Sequence, residues 1–304
     1  MAQNPEEIIK TLVAEITTSV DDFNKVIPQT QRALLADVDL LLKALDTNNG
    51  NIIANAKNLR IVGQIQSKLE AIIKSPEYMA AVKNYTATFK KVAALNDKYF
   101  AAVQKNYQPP PILAELQNQS INATVNSLVN AGIDQNITQK IQDILRTNIT
   151  TGASYPQLTQ QLRDFLTNNE TGVGALQRYT KQITTDALNQ YSAQYLTSVA
   201  NDLGFEWFRY TGAEIDTTRP FCNAMLDKKF FHISEIPDLL AGNFPEFAAN
   251  DGKLNAKTGL PEGMVAGENE QTFFVYRGGY NCGHQIVGVP TESVPAQYRN
   301  ALGK

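Results

Sequence analysis

The sequence predicts a mainly α-helical protein, in which an N-terminal helical bundle is followed by further helices and by a small C-terminal α+β domain. Three observations support this prediction. From Ile9 to Leu203, apolar residues recur at steps of three and four, which places them on one face of a helix. Three consecutive prolines interrupt this pattern in "YQPPPI", residues 107–112. Beyond Gly204 the pattern changes to short aromatic runs that are typical of strands.

Residues 1–108 are predicted to form the helical bundle. Asn4 can cap its first helix, with Pro5 at the first helical position and acidic residues in the first turn, where they suit the helix dipole. Pro28 starts a second helix, and "TNNGN" breaks the pattern before a third. The apolar stripes could cover a membrane or a coiled-coil partner. An antiparallel bundle that packs its own core is the simpler interpretation.

The prolines separate this bundle from a second region, residues 112–304, because three prolines in a row cannot continue a helix. Helical periodicity resumes there, and Ser154 is predicted to cap a helix that has Pro156 in its first turn. The last long helix should run from about Ala175 until Gly204 ends it. This region therefore begins as a continuation of the helical part of the chain.

The α+β unit is predicted at residues 204–304, after helices at 112–203. Its three β-like runs are "FEWFRYTG", which contains the only tryptophan, "TFFVYRGG" and "HQIVGVP". The turn-rich segment "RGGYNCG" joins the last two runs. We therefore expect these two runs to pair as a hairpin.

The composition argues against two classes of function. The chain carries 27 basic and 30 acidic residues, a net charge of −3, whereas a protein that binds nucleic acid without reading its sequence usually presents a basic face. DNA contact is thus not supported by charge. No stretch approaches the roughly 18 continuous apolar residues of a membrane-spanning helix. The acidic "MAQNPEEIIK" lacks the basic and apolar segments of a secretory signal, so we expect synthesis in the cytoplasm and no membrane association.

The two cysteines and two histidines of the chain all lie in its last third. Cys282 and His284 are two residues apart and share one face of an extended segment, so both could reach one ion. Cys222 and His232 would complete a tetrahedral set of two thiolates and two imidazoles, which suits zinc. The spacing is unconventional, and buried cysteines beside a hydrogen-bonded His284 would explain the same residues by packing alone. In a reducing cytosol, a disulfide between the two cysteines is disfavoured.

Two enzymatic interpretations also start from these segments. A cysteine with His284 as its base could form a nucleophile pair, but no recognisable oxyanion hole accompanies it. Glu268 and Glu270, with Arg209 on an earlier strand, faintly resemble an ADP-ribosyltransferase arrangement without its serine motif. Neither pattern is specific, and no P-loop, dinucleotide-binding or zinc-protease motif is present. We therefore expect no catalytic residues and a protein that is not an enzyme.

Two stretches, "DTTRPFCNAMLDKKF" and "GMVAGENEQTFFVYRGGYNCGHQIVGVP", resemble the C-terminal signature of the phage head morphogenesis family, the minor head proteins similar to the F protein of phage Mu. The resemblance covers roughly Ile112 to Pro290. Thr217-Thr218 departs from the usual pattern in the first stretch, and Gly283 replaces an arginine in the second. The matching residues are Asp216, Arg219, Pro220, Phe221 and Cys222 in the first stretch, and Gly278, Gly279, Tyr280, Asn281, Cys282, His284 and Gln285 in the second.

This resemblance implies a minor structural protein of a tailed-phage virion, made in the host cytoplasm and placed in the head interior or near the portal. Its implied partners are the portal protein and neighbouring head proteins, and its implied roles are head assembly, genome packaging or DNA delivery. Residues 1–108 would then be an interaction arm, whose aromatic side chains could anchor an interface. The alternative is an effector enzyme injected with the DNA, such as a nuclease or an ADP-ribosyltransferase.

Overall fold

The structure is a computed structural model that describes residues 4–167 and 172–302. It confirms a mainly helical protein with a small sheet of three antiparallel strands near its C-terminal end. The helices of the first part are α1 (Pro5–Asn24), α2 (Ile27–Lys43), α3 (Ala56–Ile73), α4 (Pro76–Val103), α5 (Ile112–Val129), α6 (Ala131–Ile133), α7 (Gln139–Thr151), α8 (Tyr155–Leu166) and α9 (Ala175–Asp202). The helices that follow are α10 (Pro220–Lys228), α11 (Ile236–Leu240), α12 (Pro245–Ala249), α13 (Phe273–Tyr276) and α14 (Ala296–Arg299).

The chain forms two compact units, each assembled from separate segments. One comprises Met1–Thr18, Ala87–Ile121 and Thr185–Lys304, and the other comprises Ser19–Thr86 and Asn122–Thr184. The prolines do separate α4 from α5, but neither unit coincides with the predicted ranges 1–108 and 112–304. Residues 1–3, 168–171, 303 and 304 of those ranges lie outside the described residues. An interaction arm at 1–108 stays a prediction.

The second unit is helical, and its local signals follow the sequence. Ser154 caps α8 by accepting a hydrogen bond from the backbone N–H of Gln157, and Pro156 lies in the first turn, as predicted. The "TNNGN" segment does break the helices, but it also forms a hairpin between strands β1 (Thr47–Asn48) and β2 (Asn51–Ile52). Asn49 and Gly50 both have positive φ, of 52° and 81°, which is the backbone that a two-residue hairpin turn requires. An Asn-Gly pair is a hairpin signal that the helical interpretation missed.

The first unit contains the three-stranded sheet. Its central strand β3 (Trp207–Thr211) pairs on one side with β4 (Phe230–His232) and on the other with β5 (Gln285–Val289). Strands β3 and β5 were predicted, whereas the three-residue β4 was not. A core of buried side chains packs against this sheet. Its members include Phe208, Tyr210, Phe221, Cys222, Met225, Phe231, Leu239, Phe244, Phe247, Phe273, Phe274, Cys282 and Ile286.

The prediction of a strand at "TFFVYRGG" is wrong, because these residues form the one-turn helix α13. The Asn269 side chain accepts hydrogen bonds from the backbone N–H groups of Gln271 and Thr272, which turns the chain just before the run. Arg277 then ends the helix in a left-handed conformation with φ of 52°. Short aromatic runs are ambiguous between strand and buried helix, and here the turn before the run decides.

Five aromatic residues of the predicted arm are buried. Phe23, Tyr78, Tyr85, Phe89 and Tyr99 are each 3% exposed or less and lie in the cores of their units. They stabilise the fold rather than a surface. Within the described ranges, none of the helices combines the length and hydropathy that crossing a membrane requires.

Candidate metal centre

Three of the four predicted ligands come together in the first unit. Cys222 is the third residue of α10, which Pro220 begins after an extended Arg219. Cys282 and His284 lie in the segment between α13 and β5. Their donor atoms all lie within 4.8 Å of one another, and Cys282 Sγ is 3.5 Å from His284 Nδ1. The two-residue spacing therefore places both side chains on the same side of this segment, as the sequence indicated.

All three side chains are buried. Cys222 is 2% exposed, Cys282 4% and His284 6%. The His284 ring stacks on Tyr210, with ring centroids 5.2 Å apart, and its Nε2 has no hydrogen-bond partner among the described residues. The Tyr210 hydroxyl lies 3.7 Å from Cys282 Sγ and donates to the carbonyl of Arg277. The cluster is a group of two thiols and an imidazole in a dry environment, and it could hold a metal ion.

His232 is the predicted ligand that the structure does not bring to this cluster. It ends β4 and caps the following turn, because its Nδ1 accepts a hydrogen bond from Ser234 N and its own N–H donates to the Glu235 carboxylate. Its ring packs edge-on against Trp207, and its Nε2 lies 3.7 Å from Glu206. The structure thus places His232 apart from the cluster. A reciprocal capping arrangement engages both its ring and its backbone.

The two thiols have opposite tendencies to ionise. The hydrogen bond from Cys222 lowers the pKa of Cys282 well below its usual range, and His284 and the positive charge of Arg277 act in the same direction. The same hydrogen bond, together with burial, raises the pKa of Cys222. Cys282 is therefore the thiol that ionises first. The thiolate is the form of cysteine that can bind a metal ion.

A buried arginine supports the segment that carries Cys282. Arg277 is 2% exposed and donates from Nη1 to the carbonyl of Asn189 and from Nη2 to the carbonyl of Cys282, at 2.7 and 3.2 Å. Its Nε is buried and has no hydrogen-bond partner among the described residues. Sequence analysis did not single out this residue. The available signal was an arginine inside the otherwise apolar run "FFVYRGGY".

The two stretches of the family resemblance contact each other directly. Arg219 donates from Nη1 to the carbonyl of Gly278 at 2.9 Å and from Nη2 to the carbonyl of Tyr280 at 2.5 Å. Phe221 enters the core beside Phe273, with ring centroids 6.4 Å apart. Arg219 therefore donates both of these hydrogen bonds to backbone carbonyl groups of the second stretch.

The remaining motif residues have separate structural roles. Gln285 is fully buried and donates to the Asn189 side chain at 2.9 Å. The N–H of Asn281 donates to Asp186 at 2.7 Å, and its backbone is left-handed. Tyr280 is 47% exposed, and Asp216 is also exposed. The motif thus mixes buried residues that hold the fold with exposed ones, since Pro220 and Asn281 also lie on the surface.

The residues that suggested an ADP-ribosyltransferase are Glu268, Glu270 and Arg209, and each has its own surroundings. Glu268 is buried, and its carboxylate accepts a hydrogen bond from Val265 N at 3.2 Å, whereas Glu270 is exposed. Arg209 pairs with Glu6, with Nη2 and Oε1 2.7 Å apart. The three side chains therefore have separate partners or surroundings.

The chain was also compared with protein-family models, with curated proteins and with solved structures, and it matches none of them.

Proposed function

We propose that this chain is a minor head protein of a tailed-phage virion, which binds the portal or neighbouring head proteins and assists head assembly, genome packaging or DNA delivery. The observation that supports this proposal is the contact between the two stretches that resemble the family. They are about 60 residues apart in sequence, yet Arg219 of the first donates to two carbonyl groups of the second. Two motifs that are distant in sequence but contact each other in the fold support the resemblance more strongly than either motif would alone.

We further propose that the buried cluster is a structural zinc centre. Two thiolates and one imidazole are a donor set that zinc prefers over magnesium or calcium, which favour oxygen. The donors come from α10 and from the segment before β5, so a bound ion would connect the two motif stretches. Metal binding of this kind stabilises a small domain because the unfolded chain does not hold the site together.

The head-protein proposal is tested on the particle itself. Mass spectrometry of purified virions should find the chain at a fixed, low ratio to the portal protein. The full chain, immobilised, should also retain portal protein. Absence of the chain from purified virions, with abundant chain in the infected-cell lysate, would overturn the proposal.

The zinc proposal is tested by elemental analysis of the full chain purified without chelators. The expected result is one zinc per chain, and a lower melting temperature after the metal is removed. Zinc well below one per chain, with a melting temperature that Cys222→Ser leaves unchanged, would leave packing as the role of the cluster.

A further inference from the structure

Three protein donors leave one position of a tetrahedral zinc ion unfilled. Structural zinc sites usually have four protein ligands, whereas catalytic sites keep the fourth position for water or substrate. Cys222, Cys282 and His284 are each less than 7% exposed, so the site is closed to solvent as structural sites are. His232, the fourth ligand expected from the sequence, is committed to a helix cap. A closed site of this kind would take its fourth donor from another buried side chain.

Glu268 is a buried carboxylate with an unused oxygen. It lies in the loop before α13, is 5% exposed, and accepts one hydrogen bond at Oε2 from the N–H of Val265. Its Oε1 is buried without a hydrogen-bond partner among the described residues. An unpaired polar atom in such an environment destabilises the fold. A metal ion would satisfy this oxygen.

The loop that holds Glu268 lies against the segment that covers the thiols. The backbone at Gly263 and Met264 touches Gly279 so closely that a Cβ added there would lie 1.7 Å from the Gly263 carbonyl oxygen. A Cβ at the neighbouring Gly278 would lie 2.8 Å from Cys222 Sγ. Val265, which binds the Glu268 carboxylate, directly follows these residues.

Charge balance favours an anionic fourth ligand. A zinc ion with two thiolates and a neutral imidazole carries no net charge, and a carboxylate makes the centre −1. Arg277 supplies a buried positive charge, and its Nη2 donates to the carbonyl of Cys282. A buried charge is costly unless an opposite charge lies nearby. A centre of charge −1 would compensate Arg277 inside the same core.

We infer that Glu268 is the fourth ligand and that the centre is a closed site of two cysteines, one histidine and one glutamate. This assignment rests on the proposed zinc centre. The Glu268 carboxylate lies outside the group of donors that are within 4.8 Å of one another. Coordination by Glu268 would require its side chain to turn toward the ion, and Oε1, which has no hydrogen-bond partner among the described residues, is the oxygen free to do so.

The experiment compares the full-length wild type with Glu268→Gln, which keeps the size of the side chain and removes its charge. The matched control is Asp186→Asn, a second carboxylate near Cys282 whose oxygen already accepts from Asn281 N. Zinc affinity is measured by competition with a chelator of known strength. Glu268→Gln should bind zinc ~100-fold more weakly or worse, since loss of an outer-shell partner alone costs about 10–100-fold. Asp186→Asn should change the affinity less than about tenfold.

The remaining outcomes separate this assignment from the zinc centre itself. Cobalt substituted for zinc should show a four-coordinate spectrum with thiolate charge-transfer bands in the wild type, and Glu268→Gln should change the ligand-field bands while it keeps the thiolate bands. Equal zinc affinity and equal cobalt spectra in the two proteins would overturn the assignment of Glu268 and leave the centre standing. Failure of the wild type to bind either metal would overturn the centre and the assignment together. If Glu268→Gln does not fold, Glu268→Asp is measured in its place, and wild-type affinity with an unchanged cobalt spectrum would overturn the assignment.

Discussion

Arg219 and Tyr280 are joined by a hydrogen bond in which the arginine Nη2 donates to the tyrosine carbonyl oxygen at 2.5 Å. The same guanidinium donates from Nη1 to the carbonyl of Gly278. Arg219 precedes the helix that carries Cys222, and Tyr280 precedes Cys282 by two residues. One planar side chain thus sets the distance between the two segments that carry the cysteines, which a flexible lysine ammonium could not do with the same geometry.

Replacement of Arg219 should therefore destabilise the first unit. Arg219→Gln is expected to lower the free energy of unfolding by about 1–3 kcal/mol, because two hydrogen bonds from a charged donor are lost. Urea unfolding at fixed metal content measures the change. Arg146→Gln is the control, since its ion pair with Asp143 is more than half exposed on both sides and is worth less than about 1 kcal/mol. Equal losses in the two variants would contradict a connecting role for Arg219.

The two histidines should differ in their effect on metal content. His284→Gln is expected to lose zinc and to melt at the same temperature with and without chelator, because it removes a donor from the buried cluster. His232→Asn is expected to keep full zinc content, since asparagine can replace the cap that His232 provides. Elemental analysis and paired melting curves measure both effects. Loss of zinc from His232→Asn alone would reverse the two roles.

Two glycines of the second motif should respond in opposite ways to alanine. Gly279 has φ of 106° and approaches the Gly263 carbonyl, so Gly279→Ala should lower the free energy of unfolding by about 3 kcal/mol or more. Gly283 is exposed and an added Cβ would meet no atom within 4 Å. Gly283→Ala should therefore be neutral or stabilising by up to about 1 kcal/mol.

Gly283→Arg, which restores the residue that the family resemblance would place there, should fold equally well because the position faces solvent. Chemical unfolding of the three variants provides the comparison. If Gly283→Ala lowered the free energy of unfolding as much as Gly279→Ala, the close approach at Gly279 would not explain the effect of the Gly279 substitution.

The pKa of Glu6 should depend on Arg209. The hydrogen bond from Arg209, followed by its positive charge, lowers the pKa of Glu6 below 4.5. A lowered carboxyl pKa means that the ion pair stabilises the fold above about pH 4.5, and that this stabilisation is lost as the pH falls through the folded-state pKa. Arg209→Gln should return the pKa toward 4.5, as followed by NMR titration of the carboxyl carbon. Lys10→Gln should move it less, since Lys10 acts on Glu6 only through space; an equal shift would rule out the direct hydrogen bond as the main cause.

Sequence patterns were informative where the structure depends on neighbours along the chain. The Ser154 cap, the helix end at Gly204 and the strands around Trp207 and Gln285 follow from local periodicity and capping. The clustering of Cys282 with His284 follows from their spacing of two residues. These predictions succeed because hydrogen bonds and steric limits between nearby residues decide them.

Predictions failed, or were not made, where the local structure depends on residues that are distant in the sequence. The run "TFFVYRGG" has the composition of a strand, but the turn made by Asn269 and the aromatic core around Phe273 select a helix. The strand β4 has only three residues and exists because β3 pairs with it. Composition cannot reveal such a pairing.

The sequence by itself determined the helical character of the chain, its change to a small sheet after Gly204, and the grouping of its cysteines and histidines in one region. The tertiary structure alone decided which histidine joins Cys222 and Cys282, that Arg219 connects the two motif stretches, and that Arg277 and Glu268 are buried around them. The physical reason is that capping and periodicity act over a few residues. Metal donors, buried charges and hydrogen bonds between segments depend on which distant parts of the chain pack together.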